Sequence, residues 1–88
     1  MTTTTSIEVT VRFFAAARAA AGNEEETIRI QPGTTISKLV DQLGDRDANL
    51  AKVLMRCSFL CDGVAVRNAD MALNNAQTID VLPPFAGG

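Results

Sequence analysis

The residues of this sequence best suited to chemistry stand at its end. Leu82-Pro83-Pro84-Phe85-Ala86-Gly87-Gly88 follows a short apolar strand pattern and runs to the last residue. Gly87 and Gly88 have no Cβ, so they can pass through a channel too narrow for other residues, and the Gly88 carbonyl is as unhindered as a polypeptide allows. Pro83 and Pro84 act in the opposite sense, fixing φ and holding the residue before each of them extended. The pattern predicts a semi-rigid spacer with a flexible tip. Fully extended, the stretch from Pro83 to Gly88 reaches roughly 20 Å at about 3.3 Å per residue, enough to enter another protein's active site. A free α-carboxyl, with a pKa of about 3.5, is ionised at neutral pH. A carboxylate is a poor electrophile, so chemistry at Gly88 requires a partner to activate it, as a mixed anhydride with a nucleotide, before a nucleophile attacks. The plain alternative is a frayed tail of small residues; a Gly-Gly ending arises by chance at about 0.5% if each Gly is drawn at roughly 7%.

Little else in the chain carries reactive groups. Cys57 and Cys61 are the two cysteines and there is no histidine, so no tetrahedral zinc site is expected within one chain, and no metal. On one strand these cysteines would lie about 13 Å apart at ~3.3 Å per residue, too far for a disulfide. They read as buried small hydrophobes in a reducing compartment. As nucleophiles they lack an evident base, and the sequence offers no paired acids and no Gly-rich phosphate loop. The chain is therefore not expected to be an enzyme by itself.

The elements that must position the tail follow from periodicity. Residues 7–13 alternate strictly, with Ile7, Val9, Val11 and Phe13 on one side and Glu8, Thr10 and Arg12 on the other, which predicts a half-buried strand. Phe14 falls on the polar side, either covered by the next element or exposed as a partner contact. Residues 15–21, alanines broken only by Arg18, predict a short helix stopped by Gly22. Residues 23–26 read as a polar loop whose acidic run is solvated, and 27–31 as a second strand returning antiparallel to the first. After the Pro32-Gly33 turn, Thr34 or Thr35 can cap a helix carrying Ile36, Leu39, Val40 and Leu43 on one stripe, with Gly44 as its C′ glycine. Asp47 can cap a lesser helix over 48–56 with Leu50, Val53 and Leu54 inward. Residues 58–61 and 64–66 pair through the Asp62-Gly63 turn, 68–77 form a loop anchored by Leu73, and 78–82 form the last strand, which feeds the tail.

A chain of 88 residues makes one domain with one small core. A sheet covered on one face by a helix is the α+β solution at this size. Net charge is −2 with no basic run, which removes the footprint of a nucleic-acid partner. No stretch approaches the ~20 apolar residues of a membrane span, and no membrane partner is expected. The opening residues have neither a basic nor an apolar region of a signal peptide, so the cytoplasm is the expected location. The expected organisation is a disordered lead-in over 1–6, a folded body over 7–82 and an extended tail over 83–88.

This order and ending resemble the MoaD/ThiS family of ubiquitin-like sulfur carriers, on its MoaD side. The likeness covers essentially everything from Ile7 to Gly88. Val11-Arg12-Phe13-Phe14-Ala15 with Arg18 downstream is similar to the family's first strand, and residues 82–88 to its Pro-Pro-x-x-Gly-Gly ending. Two positions depart: Asn74-Asn75-Ala76-Gln77 stands where relatives often carry an Asp-Gly-Asp turn, and Leu82 stands where they are often aromatic. The resemblance implies a β-grasp fold, a mixed sheet of about five strands with one main helix on one face. It implies a sulfur carrier for molybdopterin synthase, with no cofactor bound. An E1-like (MoeB-like) adenylyltransferase would use ATP to adenylate Gly88, and a sulfur donor acting through it would leave a terminal thiocarboxylate. The tail would then enter a MoaE-like large subunit and give its sulfur to a pterin precursor. In that reading Gly87 provides clearance and Pro83, Pro84 and Phe85 pack along the docking channel. Phe14 and Leu82 would form an exposed apolar patch if the first and last strands pair, or belong to the core. Arg18 would meet an acidic partner group or stay solvated. A carrier for thiazole or cysteine synthesis, a modifier joined to lysines through Gly88, and an interaction module with an inert tail remain the alternatives.

Overall fold

Alternating apolar residues in the strands and an apolar stripe on the main helix meet in a single core. The computed structural model describes residues 6–84. Its elements are β1 (Ile7–Phe13), α1 (Ala15–Ala21), β2 (Glu25–Ile30), α2 (Ile36–Gly44), α3 (Ala48–Leu54), β3 (Ser58–Cys61), β4 (Val64–Ala65) and β5 (Thr78–Leu82). Among the described residues the strands form one sheet in the order β2-β1-β5-β3-β4. β1 and β5 run parallel and the other neighbours antiparallel, so the sheet is mixed. Val9, Val11, Phe13, Ile30, Ile79 and Val81 face inward against Ile36, Leu39 and Leu43 of α2, Leu50 and Leu54 of α3, and Ala17 of α1. This is the β-grasp, ubiquitin-like arrangement, with α2 as the main helix and the two shorter helices sharing its face of the sheet.

The caps follow the sequence. Thr35 Oγ1 accepts from Lys38 N–H at 3.1 Å, and Asp47 Oδ1 from Asn49 N–H at 2.7 Å. Thr34 instead donates its hydroxyl to the Gln31 carbonyl at 2.7 Å, tying the turn before α2. Gly22 ends α1 in the left-handed region at φ 80, where a residue without Cβ is at ease. Leu73 is buried and anchors its loop as expected.

Five local expectations need correction. Gly44 is not a left-handed C′ residue: it belongs to α2, and a Cβ there would stand 3.3 Å from Ala51 Cβ, so its role is to let α3 approach. The polar loop expected over 23–26 holds only for the exposed Asn23 and Glu24, because β1 is long enough to pair with Glu25 and Glu26. Glu26 also accepts two hydrogen bonds from Arg46, at 3.0 and 2.8 Å. β2 therefore starts earlier than 27 and stops at Ile30, before Pro32. α3 ends at Leu54 rather than at 56, and β4 holds Val64–Ala65, with Val66 contributing only an N–H to the Phe59 carbonyl at 2.9 Å. Ala76, within the departing turn, has φ 68, a conformation that glycine adopts without strain and alanine does not.

Candidate functional site at the end of β5

β5 lies in the middle of the sheet, held by β1 on one side and β3 on the other, so the chain entering the tail leaves from the most restrained strand. The parallel register sets Phe13 beside Val81. Phe14 donates its N–H to the Val81 carbonyl at 3.3 Å, which brings Phe14 to the level of Leu82. Strand alternation puts both side chains on the outer face, away from the helices. Phe14 is 39% exposed, so its neighbours cover it only in part. Leu82 and Pro83 are half-buried and Pro84 is exposed. The expected Phe14–Leu82 neighbourhood is present at the root of the tail.

Beneath this patch lies an ion pair that periodicity alone did not single out. Arg12 Nε donates to Asp80 Oδ1 at 2.6 Å and Nη2 to Oδ2 at 2.9 Å, a two-pronged contact across the β1–β5 seam. The Asp80 side chain is only 10% exposed although it stands on the outer face. Its hydrogen bonds and charge raise the Arg12 pKa above the ordinary value. The same guanidinium sits 5.7 Å from the centroid of the Phe14 ring, within cation–π range. Asp80, Arg12 and Phe14 thus form a row that fixes the last strand to the first just before the tail. The signal available in the sequence was a charged residue between Ile79 and Val81 of the last strand; its partner requires the parallel register, which periodicity does not give.

Arg18 joins this region from α1. With Arg12, Phe14, Ala15, Glu24 and Glu25 it lines a cleft of about 190 Å³. Its side chain is 60% exposed and stands 3.8 Å from Glu24, so its charge remains accessible. Ala15, at φ 50, makes the sharp turn from β1 into α1 that gathers Phe14 and Arg18 on one side. Phe85, Gly87 and Gly88, like residues 1–5, lie outside the described residues.

The cysteines stand apart from this chemistry. Cys57 precedes β3 rather than lying within it, and both thiols are free and half-buried instead of fully buried. Cys57 Sγ donates to the Val53 carbonyl at 3.2 Å. Burial pushes both thiols above their ordinary pKa, with the charge of Asp62 adding to the effect at Cys61. That is the reverse of what activates a thiol nucleophile. Among the described residues no helix is long and apolar enough to cross a membrane.

Comparison with known proteins locates the chain. Residues 11–88 match the model of the ThiS family. A curated relative, the molybdopterin synthase sulfur carrier subunit of Chlamydomonas reinhardtii, is 29% identical over 83 residues, covering 93% of this chain and 100% of the relative. Among solved structures, the putative molybdopterin converting factor subunit 1 from Pyrococcus furiosus is similar with a TM-score of 0.82 at 24% identity, covering 90% of this chain and 99% of that one. The complex of subunits 1 and 2 of the molybdopterin-converting factor from Helicobacter pylori 26695 contains a chain similar with a TM-score of 0.64 at 24% identity, covering 93% of this chain and 100% of that one. At these identities the two structures speak for the fold.

Proposed function

Because the chain belongs to the ThiS family, we propose that it is the sulfur-carrying small subunit of a molybdopterin synthase, with Gly88 as the residue that carries the sulfur. The observation that carries this reading is that the family match extends through residue 88 and so takes in the Pro-Pro-x-x-Gly-Gly ending together with the folded body. The curated sulfur carrier matched over its whole length supports the same assignment.

In this proposal an E1-like partner joins the Gly88 carboxylate to the AMP portion of ATP, releasing pyrophosphate. A sulfur nucleophile then displaces AMP and leaves a thiocarboxylate, a far better nucleophile than the carboxylate it replaces. A large subunit receives the tail, as the two-subunit relative suggests, and a pterin precursor takes the sulfur. The body's own residues present the tail: β5 aims it, Arg12 and Asp80 lock β5 against β1, and Phe14, Leu82 and Pro83 offer apolar surface beside it. Gly87 supplies clearance inside the partner's channel. In this reading the body presents the tail, and the partners supply the catalytic groups.

The test is an intact mass after incubation with ATP, an E1-like activator and a sulfur donor. The expected result is exchange of one terminal oxygen for sulfur, localised to Gly88 and absent from a chain lacking that residue. Isopeptide adducts to lysines of other proteins, without a thiocarboxylate, would assign the chain to protein modification instead. A thiocarboxylate that a molybdopterin synthase large subunit cannot consume would point to thiazole or cysteine synthesis.

A further inference from the structure

We propose that the free chain pairs with a second copy of itself through the open edge of β2, joining two sheets into one. Among the described residues β2 has a single neighbour, β1. Phe13 donates its N–H to the Glu24 carbonyl at 2.9 Å, so Phe13 and Glu24 form a hydrogen-bonded pair of the antiparallel ladder. Hydrogen-bonded and non-hydrogen-bonded pairs alternate. Along the register, Val11–Glu26 and Val9–Ile28 are therefore hydrogen-bonded, while Arg12–Glu25, Thr10–Thr27 and Glu8–Arg29 are not. The backbone N–H and C=O groups of Glu25, Thr27 and Arg29 point away from β1, into the open edge. All three residues are exposed, and their backbone groups have no hydrogen-bond partner among the described residues.

An edge of this kind is a template for another strand, and its own sequence makes it self-complementary. An antiparallel copy centred on Thr27 sets Thr27 against Thr27, Glu25 against Arg29 and Arg29 against Glu25. These are the residues whose backbone groups face outward, so ladder geometry and side-chain pairing select the same register. Shifting by two residues either way keeps the ladder but sets charge against threonine. The charges also continue a row already present on the outer face. Asp80 stands beside Arg12, and Arg12 beside Glu25. In the pair, Glu25 would face Arg29 of the second copy, which is itself 3.3 Å from that copy's Glu8. The sign alternates at every step across the seam, which is the favourable cross-strand arrangement. A groove of about 390 Å³ between β2 and α2 is lined by Ile28, Leu39 and Leu43 together with Thr27 and Arg29 of this edge.

The pairing axis is perpendicular to the sheet, so the two copies of β5 point in opposite directions and the two tails leave at opposite ends. Neither blocks the other. A ribbon this short buries less than a typical specific interface, so the dimer is weak and exchanging, populated between about 0.05 and 1 mM.

The experiment is sedimentation velocity of the full chain over that concentration range. Glu25→Lys and Arg29→Glu each set like charges against one another in the self-pair, and each is expected to weaken dimerisation about tenfold or more. Mixing these two variants sets the introduced lysine of one copy against the introduced glutamate of the other. It leaves the native Arg29 of the first against the native Glu25 of the second, so the mixture is expected to dimerise as the parent does. Thr27→Pro, whose lost N–H faces the open edge and not β1, is expected to stay folded by circular dichroism and to be monomeric. A parent chain that stays monomeric at 1 mM, single-charge variants that dimerise like the parent, or a mixture that fails to recover would each overturn the proposal.

Discussion

The two faces of the sheet are built from the same strands and hold opposite kinds of residue. On the inner face, Val9, Val11, Phe13, Ile79 and Val81 are almost wholly buried against α2 and α3. On the outer face, one residue out of step, stand Arg12 and Asp80, with Phe14 and Leu82 at the root of the tail. The inner face can be replaced by any well-packed apolar set of similar volume without changing what the molecule offers its partners. The outer face differs, because it holds the partly exposed Phe14 and the Arg12–Asp80 clamp, and under the proposed function it is the face that partners would meet. The comparison separates the residues that make the body from those that would make it a carrier.

That separation can be broken from either side. The largest effect is expected from Leu39→Ala, which empties a wholly buried site under the sheet. It should cost about 2–5 kcal/mol in chemical denaturation, while the fraction still folded loads sulfur at the parent rate. Arg12→Ala comes next. It leaves the Asp80 carboxylate, 10% exposed, without its partner, whereas the Arg12 side chain itself is 46% exposed and partly served by water. A clear loss of stability is expected, smaller than that of Leu39→Ala because the exposed Arg12 is screened by water. Asp80→Asn should cost less, because it leaves the solvated member unpaired; the reverse order would show that the clamp is not organised around a desolvated carboxylate.

A smaller effect, of opposite sign, is expected from Ala76→Gly. Ala76 holds φ 68 in the turn before β5, and glycine there should raise stability by up to about 1 kcal/mol, read as a rise in melting temperature. The Glu26–Arg46 pair gives a pH-dependent effect below about 1 kcal/mol, since its side chains are 22% and 41% exposed. Hydrogen bonds from Arg46 lower the Glu26 pKa despite burial. The lowered value means that the contribution is complete above the unfolded pKa of about 4.3 and is lost as pH falls through the folded one. Parent and Arg46→Ala should therefore differ in stability at pH 7 and converge in acid. Phe14→Ala should lower the denaturation midpoint less than Arg12→Ala does, since the ring is 39% exposed, yet weaken capture by a large subunit, measured by calorimetry; a stability loss as large as that of Leu39→Ala would return Phe14 to the core.

Much of the body was legible because it follows short-range rules. Strict alternation located β1, a short apolar run located β5, the spacing of Ile36, Leu39 and Leu43 located α2, and Asp62-Gly63 located the β3–β4 turn. What escaped depends on residues distant in sequence. The contact between Arg12 and Asp80 exists only because β1 and β5 are parallel neighbours. Glu25 and Glu26 looked like a solvated turn because their partners in β1, and Arg46 after α2, are far along the chain. Gly44 resembled a helix stop because spacing cannot reveal that Ala51 packs against it. At the site, Phe14 and Leu82 were placed together by assuming the strand pairing that the structure contains, whereas the acid-base clamp beneath them was missed.

The central claim is that the body presents a chain end that does the chemistry. It is tested most directly by deleting Gly87 and Gly88 and measuring two quantities on the same sample, melting temperature and ATP-dependent sulfur loading by an E1-like activator. The account predicts a melting temperature unchanged to within about one degree and no sulfur loaded. A truncated chain that still accepts sulfur, or one that loses several degrees of stability along with loading, would contradict it.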